Sequence, residues 1–244
     1  MPDEFRVALQ FQAQAFHTPF MCLWGGLIFA CFVRHPWLQG IAFVGAAWFH
    51  LLLDACQARY GNGVAFLYSA SWHTYNFELF WPEDCIRLAF LAVSSGVVLH
   101  SFWKGLPPLP LRRPSWRGAL MLGGGFVLMP LITWHAALEA NVFNMAFVYS
   151  PSTFEGKEIG FERNRLISST PARLRTWHGR ELVLDGVPDD AMPGDSVSLR
   201  GTYRAGTLEV ERFHVHWPHL HTTPSLIALA LLVLAICQAQ SQAL

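Results

Sequence analysis

His50 and Asp54 stand four residues apart in an apolar stretch, so on a helix they share one face. An imidazole and a carboxylate placed that way can ligate a single divalent metal ion. The same pair also reads as a hydrogen-bonded helix contact worth a few tenths of a kcal/mol. His135 and Glu139 repeat the spacing. Near the C-terminus, HVHWPHLH places His214, His216, His219 and His221 within eight residues. On a strand, residues 214 and 216 point the same way, and His-rich tracts can bind metals. His135, His214, His216, His219 and His221 therefore form a second or shared candidate metal site, against the alternative of a polar cuff at a membrane interface. The sequence has no phosphate-cradling G-x-x-x-x-G-K-[ST], no G-x-S-x-G nucleophile elbow and no C-x-x-C. Its five cysteines leave a Cys56–Cys85 disulfide as one option.

The elements that must position these residues read as membrane helices. The chain has 244 residues, 52% hydrophobic and 14% charged, with ten Trp and a mean hydropathy of +0.29. A soluble domain carries about 25% charged residues. The formal net charge is zero, with no basic block to neutralise phosphates, so nucleic acid is excluded as a partner. A bilayer-crossing helix needs about 20 mostly apolar residues. Five stretches approach that length: Phe16–Val33, Trp37–Leu53, a third from just after Arg87 to Trp103, Gly118–Ala137 and Ser225–Ala239. The segment between the third and fourth holds Lys104, Arg112, Arg113 and Arg117 and no acid, so it faces the cytoplasm. His17, His50, Asp54, Glu83, Asp84, His135 and Glu139 then all fall at the outer surface.

Residues 138–223 change character. Asp195–Tyr203 alternates, with Val197, Leu199 and Tyr203 on one face and Ser196, Ser198, Arg200 and Thr202 on the other. Arg204, Ala205 and Gly206 turn the chain into a strand over Thr207–Trp217, whose parity switches at a bulge near Glu211 and Arg212. Glu162–Ser168, Arg173–His178 and Glu181–Asp185 complete five short strands, which suggest a small barrel of the OB type. With nine Lys+Arg against eleven Asp+Glu in residues 138–223, it lacks a phosphate-tracking groove. The expected architecture is a membrane all-α bundle of about five transmembrane helices with an inserted extramembrane barrel. Its parts are 1–137, a helical membrane domain; 138–223, the extracytoplasmic barrel; and 224–244, a last membrane helix.

The stretch WFHLLLDACQARYGNGVAFLYSASWHTYNFELFWPEDCIRLAFLAV resembles the predicted membrane-bound metal-dependent hydrolases, the LexA-regulated inner-membrane hydrolases and their relatives. His50 and Asp54 match that family's H-x3-D. Asp3 matches the first acid of its L-P-D-x-D segment, and His17 the final His of its H-R-G-x-T-H-S motif. Phe5 and Gln12 replace two other family positions, and the match begins mid-pattern, as an N-terminally truncated or degenerate copy would. The resemblance covers roughly residues 1–103. It implies a divalent metal, zinc above all, held by His17, His50, Asp54 and Asp3. A general base would come from Glu83, Asp84 or Glu139. The substrate would be a phosphate ester or a lipid-linked molecule at the outer leaflet of the inner membrane. The alternative expectation is a non-catalytic multi-pass scaffold whose external barrel docks other membrane proteins.

Overall fold

The computed structural model describes residues 11–104 and 116–217. A helical stretch ends at residue 16, and six α-helices of varied length follow among the described residues. They are α1 (Pro19–Ala30), α2 (Pro36–Cys56), α3 (Cys85–Trp103), α4 (Trp116–Ile132), α5 (Trp134–Glu139) and α6 (Met145–Tyr149). Then come β1 (Glu158–Ser169), β2 (Ala172–Arg175), β3 (Glu181–Asp185), β4 (Ser196–Arg204) and β5 (Thr207–Val215).

The expected five-span all-α bundle is not what forms. Among the described residues, α2 alone is both long and apolar enough to cross a bilayer. Its 21 residues extend about 32 Å at 1.5 Å per residue. The first expected span is interrupted at His17 and Thr18. The Thr18 side chain caps α1, accepting from the Met21 N–H, and Pro19 occupies the first turn. α1 therefore has 12 residues, about 18 Å, and the chain turns again before Pro36 opens α2. The fourth span is cut near Thr133. Pro130 removes a backbone donor, and the Thr133 hydroxyl donates to the Pro130 carbonyl, 3.1 Å away. α3 has 19 residues. The expected span over 225–239 lies outside the described residues.

The helices pack through small residues. A Cβ at Gly26 of α1 would collide with Val44 of α2, and one at Gly125 of α4 would collide with the Trp24 ring. The outer faces stay apolar: Trp37, Leu38 and Ile41 of α2 and Leu120 and Met121 of α4 are exposed.

The barrel is present and closed. Its strand order is β1-β2-β3-β5-β4, with β4 returning to β1. Every neighbour pair is antiparallel except β3 and β5. Closure leaves no free edge on so small a sheet. The inward residues are the alternating ones: Leu166, Leu174, Leu182, Val197, Leu199 and Leu208 are buried together, and Phe147 of α6 plugs one end. Ala205 and Gly206 both have positive φ, the two-residue hairpin geometry that follows the twist of β4 and β5. Arg200 pairs with Arg212 and Gly201 with Val210, so Glu211 is the bulged residue. The core makes a direct prediction. Leu199 is fully buried, and Leu199→Ala should destabilise the chain by about 2–5 kcal/mol in thermal or urea unfolding.

Residues 57–84 lie between helices and barrel. Ala65, Tyr68 and Trp72 pack against Phe11 and Ala137 on the helical side. On the barrel side, Gly61 touches Gly160 backbone to backbone, and the Asn144 side chain donates to the Gly160 carbonyl, 2.8 Å away.

Candidate metal centres

The first cluster sits where three local features meet. His50 and Asp54 share one face in the last two turns of α2. His17 occupies the joint that Thr18 and Pro19 impose before α1. That joint brings His17 Nε2 to 3.1 Å from Asp54 Oδ2, with His50 Nε2 3.5 Å from the same oxygen. Asp54 is buried, whereas the side chains of His17 and His50 are 31% and 66% exposed. The other carboxylate oxygen is already satisfied. Asp54 Oδ1 accepts from Arg59 Nη2 at 2.8 Å and from Gln57 Nε2 at 3.0 Å. One oxygen is thus held by donors, and the second is left to face two imidazoles.

The second cluster joins residues more than 130 positions apart. Glu83 precedes α3, His214 is next to last in β5, and His216 follows that strand. Glu83 Oε1 accepts from Arg163 Nη2 at 2.7 Å and faces His216 Nδ1 at 2.6 Å. His216 Nε2 lies 2.7 Å from Ser198 Oγ, which also accepts from the Arg163 backbone N–H. Glu83 Oε2 and His214 Nε2 are 3.6 Å apart, and neither has a hydrogen-bond partner. The Trp81 ring stacks on His214 with centroids 3.7 Å apart. Burial raises the Glu83 pKa, but the imidazoles of His214 and His216 and the Arg163 guanidinium outweigh it and hold the carboxyl well below its ordinary range. Burial pushes His216 down despite the pull of Glu83.

One irregularity of β1 serves both clusters. Phe161 pairs with Leu199 but Asn164 with Val197, so β1 carries one extra residue there, and Arg163 takes a positive φ. Glu162 of this bulge accepts from Asn62 and lies 3.8 Å from Arg59, the arginine that holds Asp54. Arg163 holds Glu83. No family model, curated protein or solved structure matches this chain.

The structure sorts the expected residues. His17, His50 and Asp54 converge; Asp3, His219 and His221 lie outside the described residues. Glu83, expected as a base beside the first cluster, belongs to the second with His214 and His216. Asp84 Oδ2 accepts from the Trp81 N–H at 2.7 Å and closes a turn. His135 and Glu139 are exposed on the short helix α5 and join neither cluster. Cys56 is a free thiol, and the Cys85 side chain lies outside the described residues. Ser198, expected on the solvent face of β4, is fully buried because the 81–84 segment and His216 cover that face. Arg59 and Arg163 carried no sequence signal, since each is defined by a partner on a different element.

Proposed function

We propose that the chain is a membrane-associated, metal-dependent hydrolase working at the His17, His50 and Asp54 cluster. The observation that carries the reading is the convergence of two imidazole nitrogens on one carboxylate oxygen, Asp54 Oδ2, which neither Arg59 nor Gln57 takes. Donors about 2.0–2.2 Å from a shared tetrahedral ion lie about 3.3–3.6 Å apart. The 3.5 Å separation of His50 falls in that range, and the 3.1 Å separation of His17 lies slightly below it. Two nitrogens and one carboxylate oxygen suit zinc, and three protein ligands leave one position open, as catalytic zinc sites do. A bound ion of this kind supplies an activated water and polarises the scissile group.

The chain's own residues do the positioning. Arg59 and Gln57 fix the Asp54 carboxylate through Oδ1, so Oδ2 keeps its direction. The exposed His50 leaves the cluster open to an incoming phosphate ester or lipid-linked molecule. The apolar outer faces of α2 and α4 support a lipid setting. Arg34, beside the far end of α2, favours an inward position for that end, with the clusters and the barrel on the extracytoplasmic side of the inner membrane. The likeness of residues 1–103 to the membrane-bound metal-dependent hydrolases agrees with this reading.

A competing reading is a non-catalytic scaffold with a docking barrel. It is favoured by one observation: among the described residues, Asp54 is the sole carboxylate of the first cluster, so no second acid stands there as a base. The test is metal content and turnover of the full chain in detergent, without chelators and with added Zn2+. The substrates are p-nitrophenyl phosphate and phosphatidic acid. His17→Ala and His50→Ala should each bind one ion fewer per chain than wild type and lose hydrolysis by roughly 100-fold or more. Wild-type ion content with no turnover supports the scaffold, whereas unchanged ion content in both variants rejects the site.

A further inference from the structure

We propose that Glu83, His214 and His216 form a second divalent-metal site, separate from the first, which ties strand β5 to the segment preceding α3. Two observations carry this inference independently of the hydrolase reading. The ligand atoms of the three residues lie within 4.8 Å of one another. Within that group, Glu83 Oε2 and His214 Nε2 are buried atoms without a hydrogen-bond partner. Orphaned buried polar atoms are costly, and two facing each other point to something that satisfies both. Their 3.6 Å separation matches the span between two donors on one tetrahedral ion. Glu83 is buried to the level at which a carboxylate needs a partner for each oxygen, and Arg163 and His216 serve only Oε1.

Ser198 lets His216 act as the third donor. Without metal, the Ser198 hydroxyl donates to Nε2 while Nδ1–H donates to Glu83, which satisfies the ring. A hydroxyl accepts as readily as it donates. In the other tautomer, Nε2–H donates to Ser198 Oγ and the Nδ1 lone pair is free to bind a cation. The donor set of two imidazoles and one carboxylate selects a zinc-class ion over magnesium or calcium. Trp81 stacked on His214 and the limited exposure of the cluster suit a structural ion.

The experiment uses the full chain in detergent, stripped with a chelator and dialysed against Zn2+ or Co2+. The His50→Ala protein isolates the second cluster. It should retain one ion per chain, show the visible absorption of nitrogen-coordinated Co2+, and unfold at a higher temperature with Zn2+ than without. Adding His214→Gln should abolish the ion, the Co2+ spectrum and the Zn2+-dependent shift together. An ion lost from wild type by His214→Gln but not by His50→Ala would support this site and reject the first. Absence of an ion from the His50→Ala protein, or an ion indifferent to His214→Gln, overturns the proposal. Since His214 is partly exposed, its glutamine variant leaves the Glu83–Arg163 pair intact and should still fold.

Discussion

Arg163→Met should destabilise the metal-free chain by about 3–5 kcal/mol, among the largest effects of any single substitution here. The reason is the charge it strands. The side chains of Arg163 and Glu83 are 12% and 5% exposed, and among the described residues Arg163, 2.7 Å away, is the one Lys or Arg paired with that carboxylate. Removing the guanidinium leaves a buried carboxylate with only the His214 and His216 rings against it. The measurement is urea unfolding of wild type, Arg163→Met, Glu83→Gln and the double variant. If the ion pair is what matters, the double variant should be more stable than Arg163→Met alone, because the stranded charge is gone. A loss below about 1 kcal/mol in Arg163→Met would place the pair among ordinary surface contacts and sink the expectation.

Gly61→Ala should have the second large effect, about 2–4 kcal/mol from backbone strain and overpacking together. Gly61 has φ +73, a left-handed conformation that a Cβ disfavours. The added methyl would also overlap the Gly160 carbonyl oxygen, and backbone cannot rotate aside as a side chain can. The 57–84 segment must then lift from β1. Arg59 and Asn62 lie beside Gly61, so their contacts with Glu162 go with it. Limited proteolysis should show new cleavage within 57–84, and Zn2+ affinity at the first cluster should fall roughly 10–100-fold through Arg59. Unchanged proteolysis would mean that the close approach is not needed for docking.

Much of the barrel was legible because its physics is local. Inward positions alternate with outward ones, and the parity switch at Glu211 betrays a bulge without any knowledge of the partner strand. His50 and Asp54 were legible for the same reason, one face of one helix. The helical layer was misread where apolar runs outlast the helices inside them. Hydropathy does not register that Thr18 caps α1 or that Thr133 bonds back to Pro130. Glu83, His214 and His216 were each singled out, but in different roles and not as one cluster, and Arg163 was not singled out at all. Their meeting depends on how the barrel docks, and no pattern within either segment encodes it. Ser198 shows the same limit: alternation assigned it to the outer face correctly, yet could not foresee that another segment covers that face.

The extra residue in β1 has a consequence for how the two clusters depend on each other. In a regular strand, Glu162 and Arg163 would point to opposite faces, and only one could reach outward. The bulge turns the strand into a fork whose two adjacent prongs, of opposite charge, leave the barrel on the same side. One prong meets Arg59 and through it Asp54; the other meets Glu83. Shortening the strand by one residue would withdraw a prong from one cluster and shift the register of the other. A single-residue deletion there would therefore disable both clusters at once, although neither histidine nor carboxylate ligand had changed.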